Sequence, residues 1–121
     1  MVTEVREQGN LIGSDKVEGT AVYGADRTKI GSIERVMIDK QSGKVSYAVL
    51  SFGGFLGMGE KLFAVPWKAL TLDTVNKRFI LNVEKDRLND APGFDKDAWP
   101  DMADLTWAAG VHSYYDTKPV L

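Results

Sequence analysis

The chain has 121 residues, of which 44% are hydrophobic and 26% charged, and these values are ordinary for one globular domain. A net charge of -2 argues against nucleic-acid binding, because nucleic-acid-binding domains normally present a basic face. Cysteine is absent, which excludes disulfides, thiolate nucleophiles and cysteine-based metal sites. Since the sequence shows neither a signal peptide nor an apolar run of about 20 residues, we expect a cytoplasmic protein with no membrane-spanning segment.

The first two thirds of the sequence predict a β domain. Residues 1–10 are polar and are interpreted as a flexible leader. Residues 11–83 contain about six short β-rich runs separated by turn residues, a pattern typical of a small closed or half-closed antiparallel barrel. The predicted strands cover residues 17–23, 29–39, 44–52, 62–65, 69–72 and 78–83.

Two of these strands have features that bear on the shape of the barrel. In strand 29–39, Ile33 is out of phase with Val36 and Ile38, so we predict a bulge near residues 34–35. A hairpin turn follows, with Gly43 at a position of positive φ. Strand 44–52 is apolar on both faces, which predicts a central strand that is covered inside and outside the barrel.

A glycine-rich apolar loop, residues 53–59, separates the third and fourth predicted strands. Such a loop can cradle phosphate only when a helix follows, and here a strand follows instead. We interpret it as a structural turn that either packs under the rest of the chain or meets a partner protein, since aromatic and Met side chains are favoured in interface cores. The candidate partner-contact residues are Phe55, Leu56, Met58, Glu60 and Trp67.

The remaining residues, 84–121, are predicted to form an acidic, partly helical extension packed on the barrel. The net charge is -4 over residues 84–104. Asp101 or Asp104 is the expected N-cap of a helix running to about Tyr115, and one stripe of this helix would be apolar. That stripe is predicted to contain Met102, Leu105, Ala109 and His112. The aromatic residues Trp67, Trp99, Trp107, Tyr114 and Tyr115 are interpreted as contacts between extension and barrel. Alternatively, a homodimer buries the outer face.

No catalytic, cofactor-binding or metal-binding residues are predicted, and we expect no enzyme activity. Nothing in the sequence brings Asp39 and Glu60 together as an acid–base pair. The acidic residues 95–104 lack the glycine and the closing glutamate of an EF-hand loop. His112 is the only histidine, and no Gly-x-Ser-x-Gly elbow accompanies it, so we expect it to pack or to face solvent.

Several short motifs, taken in order, resemble the PRC-barrel family. They are Ile30-Gly31-Ser32-Ile33, Val36-Met37-Ile38-Asp39, Gly43-Lys44-Val45, Tyr47-Ala48-Val49-Leu50, the loop 53–61 and Ala64-Val65-Pro66-Trp67. The family includes the cytoplasmic domain of the photosynthetic reaction centre H subunit, the C-terminal domain of the ribosome maturation factor RimM, and stand-alone bacterial proteins, which this chain resembles in its C-terminal extension.

The resemblance implies a small β-barrel that acts as a non-catalytic docking module for an unidentified protein. Two alternatives follow from the named relatives. One is an accessory protein related to reaction centres, with a role associated with proton or electron transfer. The other is a factor in ribosome assembly or RNA processing, which the acidic composition disfavours.

Overall fold

The computed structural model describes residues 11–52, 61–83, 88, 91, 93–95 and 97–115. The elements follow one another along the chain as α1 (Ser14–Val17), β1 (Ala21–Tyr23), β2 (Lys29–Ile38), β3 (Val45–Phe52), β4 (Lys61–Pro66), a 3-10 helix (Trp67–Ala69), β5 (Leu70–Asp73), β6 (Arg78–Leu81) and α2 (Leu105–Tyr114).

The strands form one six-stranded sheet in the order β4-β3-β2-β1-β6-β5, curved into a half-barrel. The predicted mainly β fold with a partly helical C-terminal extension is therefore confirmed. One pairing departs from the antiparallel pattern, because β1 and β6 run parallel, with Val22 opposite Phe79. No hairpin links these two strands, so no turn fixes their relative direction and the sheet is mixed.

The first predicted strand, residues 17–23, is wrong in its first half. Ser14–Val17 forms a single helical turn, and β1 contains only Ala21–Tyr23. The Thr20 hydroxyl donates to the Lys16 carbonyl and so holds the helical turn closed. Gly19 then turns the chain with a φ of +83°, and its N–H donates to the Ile33 carbonyl of β2. Val17 is buried in both interpretations, but here a turn places it in the core.

The predicted bulge and hairpin turn are both present. The register between β2 and β3 shifts between Ile33 and Arg35, which places Ile33 and Val36 on one face of the sheet. Gly43 has a φ of +75°, as the turn requires. Asp39 closes the same turn, because its carboxylate accepts hydrogen bonds from the Gln41 N–H and the Ser42 hydroxyl. These hydrogen bonds hold the pKa of Asp39 below its usual value.

The concave side of the half-barrel holds the hydrophobic core. Side chains from five strands meet there, and Phe52 and Phe63 pack edge to face with ring centroids 4.5 Å apart. Leu50 and Phe63 are completely buried, with 0% of their surface exposed. Burial of this size supplies most of the driving force for folding, about 1.5–3 kcal/mol for each large side chain.

The C-terminal part of the chain lies on the outer face of β2, β3 and β4. Asp104 is the N-cap of α2, and its carboxylate accepts hydrogen bonds from the Thr106 and Trp107 N–H groups. A cap of this kind stabilises a helix by about 1 kcal/mol. The buried side of α2 carries Val111 and His112, whereas Leu105 is 74% exposed.

The predicted apolar stripe is therefore wrong at Leu105 and at Ala109, which is also exposed. Most of the buried and half-buried residues in α2 and at its C-cap lie four apart. Trp107, Val111 and Tyr115 form one row, and Ala108 and His112 form the next. Apolar residues occur all round this helix, so spacing alone does not select the face that meets the sheet.

The extension bridges the outer edge of β4 at Leu62. The Leu62 N–H donates to the Phe94 carbonyl at 3.0 Å, and the Phe94 N–H donates back to the Leu62 carbonyl at 2.9 Å. Phe94 also stacks against Trp99, at a centroid distance of 4.9 Å. This short bridge ends the sheet on the β4 side.

Candidate functional site

The outer face of the sheet is divided into two unlike halves. The half formed by β2, β3 and β4 lies under the C-terminal extension, where Trp107 packs edge to face on Tyr47 at 5.4 Å. Arg35 of β2 lies under the Trp99 ring, with its guanidinium carbon 5.0 Å from the ring centroid. We call this half the covered face. Packing of the extension on the covered face explains why Val49, on the side of β3 that points away from the core, has 0% exposure.

The covered face contains one buried polar pair. The hydroxyl of Tyr47 and Nε2 of His112 share a hydrogen bond of 3.2 Å, and both side chains are about 5% exposed. Burial raises the pKa of Tyr47. Burial, and to a smaller degree the positive charge of Lys68, lowers the pKa of His112. Both groups are therefore held neutral, and the pair fastens α2 to β3.

This pair predicts that the protein loses stability as the pH falls from about 7 to about 5. The histidine pKa is 6.5 in the unfolded chain and lower in the folded one, so below 6.5 the unfolded state binds more protons. The free energy of unfolding should therefore decrease until the pH passes the folded pKa. Urea denaturation at a series of pH values measures the slope.

The matched control for this slope is His112→Gln, which keeps a hydrogen-bonding group but does not titrate. We expect this variant to be less stable and to show a flatter pH dependence over the same range. Asp39 and Asp73 titrate below this range, since hydrogen bonds lower both of their pKa values. An unchanged slope in His112→Gln would show that His112 is not the group responsible.

The other half of the outer face, formed by β1, β6 and β5, has no described segment packed on it. We call it the open face, and we define it by Tyr23, Thr71, Arg78 and Ile80. Register places these four side chains together, because Tyr23 pairs with Ile80 and Ile80 pairs with Thr71. The guanidinium carbon of Arg78 lies 4.3 Å from the centroid of the Tyr23 ring. Tyr and Arg are the side chains most often found at the energetic centres of protein interfaces, together with Trp.

A cleft of about 320 Å³ runs along β6 on the open face. Its walls come from the β1–β2 loop at one end and the β5–β6 hairpin at the other, with side chains of β6 between them. We call it the arginine cleft; it is lined by Gly24, Ala25, Arg27, Asp73, Asn76, Arg78 and Ile80. The cleft lies beside the Tyr23–Arg78 stack, because Arg78 belongs to both.

Asp73 organises the hairpin end of the arginine cleft. Its carboxylate accepts hydrogen bonds from the Val75 and Asn76 N–H groups, from the Asn76 side-chain amide and from Nε of Arg78. These bonds, of which the one from the Asn76 side chain contributes most, hold the pKa of Asp73 below its usual value. The carboxylate is thus occupied by the hairpin itself, and it fixes the position of Arg78 through a 3.3 Å ion pair.

Of the five partner-contact residues predicted from the sequence, only one lies within the described residues. Phe55, Leu56, Met58 and Glu60 lie outside the described residues. Trp67 lies in the 3-10 helix, half-buried, with its ring 5.6 Å from that of Phe79. It thus packs within the half-barrel, whereas Trp99 and Trp107 make contacts between extension and barrel. Its role as a partner contact stays a prediction.

The residues of the open face were not selected from the sequence. Two signals in the sequence point to them: the alternation of Arg78 and Ile80 with the core residues Phe79 and Leu81, and the cations in both flanking loops. The missing information was the parallel pairing of β1 with β6, which brings residues 23–27 beside residues 73–80. Spacing along the chain cannot supply that pairing.

Two further kinds of site are absent from the part of the chain that the structure describes. No group of three or more His, Cys, Asp or Glu side chains there is placed to hold a metal ion. None of the helices in that same part is long and apolar enough to span a membrane.

Fold and surface together define a class of protein: a small, mainly β half-barrel with one outer half covered by its own C-terminal segment and the other half left open by the residues that the structure describes. The model of the PRC-barrel domain family matches residues 9–88, which is most of the chain, and the chain belongs to that family. This confirms the resemblance carried by the short motifs of the sequence. No curated protein matches the chain in sequence.

Proposed function

We propose that this chain is a non-catalytic docking module that binds another protein through its open face. The observation that carries the proposal is a difference in cover between the two outer halves of the sheet. The chain covers one half with its own aromatic residues, whereas on the other half it presents a Tyr23–Arg78 stack beside a cleft. Membership of the PRC-barrel family supports the same function, because such domains are of the protein-interaction type.

The residues of the open face suit an interface more than a reaction centre. Arg78 is engaged by Asp73 and Tyr23, so its guanidinium is oriented before any partner arrives. Orientation in advance reduces the entropy lost on binding, which is the main cost of fixing a long side chain at an interface. Ile80, half-buried next to it, adds apolar surface. An oriented arginine, a tyrosine and an aliphatic side chain together form a typical interface centre.

The proposal is tested by affinity capture from cells in which the protein naturally occurs, with the full chain as bait. Thr71 is exposed on the edge strand of the open face, and Thr71→Glu adds a charge there. The matched control, Gln41→Glu, adds the same charge in the exposed β2–β3 turn.

A protein that is captured by the wild-type chain and by Gln41→Glu, but lost with Thr71→Glu, supports docking through the open face. Capture that is equal on all three baits contradicts the assignment of the face. If no protein is enriched over an unrelated domain of the same size and charge, the docking function itself is wrong.

A further inference from the structure

Charge is distributed unevenly around the arginine cleft. The two flanking segments, residues 23–29 and 71–80, contain four cations, Arg27, Lys29, Lys77 and Arg78, against two carboxylates, Asp26 and Asp73. The chain as a whole has a net charge of -2 and a pI of about 5.3. The open face is therefore a local basic region on an acidic protein, and such a region attracts anionic groups.

Both carboxylates in this region are engaged by their own loops. Asp26 accepts a hydrogen bond from the Thr28 N–H at 3.1 Å, which closes the β1–β2 loop. Asp73 accepts four hydrogen bonds from its hairpin and from Arg78. Their negative charges are therefore partly offset where they lie. Three of the four cations, Arg27, Lys29 and Lys77, are exposed, so an approaching molecule meets positive charge.

Arg78 is held in a geometry that suits a carboxylate. Its Nε–H donates to Asp73, and its guanidinium plane is supported by the Tyr23 ring. Within the described residues, no hydrogen bond from either Nη group is found, so these donors remain for an external acceptor. A guanidinium binds a carboxylate with two parallel N–H···O bonds, and such charge-assisted pairs are about twice as strong as neutral ones.

Arg27 supplies a second guanidinium at the opposite end of the cleft. It is exposed, and no ion pair joins it to another residue in the described ranges. Its φ of +63° places it at the end of a turn closed by the bond from its own N–H to the Gly24 carbonyl. Between the two arginines lies Ile80, which is half-buried. The cleft thus offers two anion-binding ends and an apolar middle.

We propose that the arginine cleft binds a short acidic segment of the partner protein, with Arg27 and Arg78 each taking a carboxylate and Ile80 contacting an apolar side chain between them. This inference rests on the proposed docking function and names the chemistry that the open face recognises. The cleft volume, about 320 Å³, is near the lower end of ligand pockets, about 300 Å³, so it accommodates a few side chains.

Two other occupants fit the structure less well. Nucleic acid would have to overcome the overall negative charge of the chain, and only a few of its phosphates could reach the basic region. The acidic residues 97–104 of a second copy lie on the covered side of the molecule. If the cleft of one copy bound these residues of another, two different surfaces would be joined. Such head-to-tail contacts produce open filaments unless the copies close into a ring.

The test uses the purified full chain and a short fluorescent peptide composed of Glu and Leu, with a peptide in which Gln replaces Glu as the neutral probe. Fluorescence anisotropy measures binding at low ionic strength. We expect the Glu peptide to bind at least about tenfold more tightly than the Gln peptide. Arg27→Gln and Arg78→Gln should each weaken binding of the Glu peptide by about tenfold, the loss expected for one charge-assisted contact.

Two further variants test whether binding depends on the arginines of the cleft and not on positive charge in general. Lys44→Gln removes an exposed cation outside the cleft, in the β2–β3 hairpin, and should leave binding unchanged. Arg78→Lys keeps the charge but cannot form two parallel hydrogen bonds with a carboxylate, so this variant should bind the Glu peptide weakly. Arg27 is exposed, so Arg27→Gln should fold normally even if Arg78 variants do not. Urea denaturation of every variant checks this.

The outcomes distinguish the two proposals. If single-stranded RNA binds more tightly than the Glu peptide, or if Lys44→Gln weakens peptide binding as much as Arg27→Gln, the acidic-segment assignment is wrong. Concentration-dependent self-association lost in Arg27→Gln would identify a second copy as the occupant and would also overturn it. If a native partner is still captured by baits carrying Arg27→Gln and Arg78→Gln, the docking function stands while the arginine cleft proposal fails.

Discussion

The Gly31→Ala variant is expected to be severely destabilised, by about 3 kcal/mol. A Cβ added at Gly31 would lie 2.1 Å from the backbone oxygen of Ser51 and 3.1 Å from its carbonyl carbon. Both atoms belong to β3, which is paired with β2 at this point through Ser32 and Ser51. Because the obstacle is backbone, no side chain can turn away to make room. Strands β2 and β3 would have to separate in the middle of the sheet.

The matched control for this prediction is the same substitution at Gly110, in the middle of α2. A Cβ added there meets nothing within 4 Å, and alanine is favoured over glycine in a helix by about 1 kcal/mol. The two variants should therefore move the urea midpoint in opposite directions. A Gly31→Ala variant as stable as the wild type would contradict the close approach of β2 and β3.

A chain ended after Val83 is expected to lose cooperative folding or to aggregate. The truncation removes the aromatic and aliphatic residues that cover Tyr47, Val49 and Ala64 on the outer face. Each large side chain that loses its burial costs about 1.5–3 kcal/mol, and a domain of this size has only about 5–15 kcal/mol of stability in total. Several such losses together are comparable with that total stability.

The comparison for the truncation is the full chain carrying Leu105→Ala. Leu105 belongs to α2 but is 74% exposed, so its truncation should change stability little. Near-UV circular dichroism and urea denaturation follow tertiary packing in all three proteins. A fragment that unfolds at the same urea concentration as the full chain would show that the half-barrel is stable without its extension. The extension would then be an independent addition to the PRC-barrel.

Features set by local chemistry were predictable from the sequence. Gly43 takes the positive φ that its turn requires, Asp104 caps α2, and the shift at residues 33–35 restores Ile33 to the phase of Val36. In each case the residue type and its immediate neighbours determine the conformation. The doubly apolar pattern of β3 likewise indicated a strand with cover on both faces, and its outer side does lie under α2.

Features set by distant contacts were not predictable in the same way. The direction of β1 relative to β6 depends on how the whole sheet is assembled, so the sequence favoured an antiparallel barrel. The buried side of α2 is chosen by the position of Tyr47 on β3, which selects His112 and Val111 and leaves Leu105 in solvent. The arginine cleft depends on the pairing of β1 with β6, because it joins two loops separated by about fifty residues of chain.

The hydrogen-bonded bridge between Leu62 and Phe94 limits how the sheet can grow. It occupies the β4 edge at Leu62, whereas no strand in the described part of the chain pairs with the far side of β5. A sheet with one blocked edge cannot be extended by copies added in series, since each copy offers a single site for a new strand. Association through strand edges is therefore expected to use β5, which favours a pair of copies over an open series.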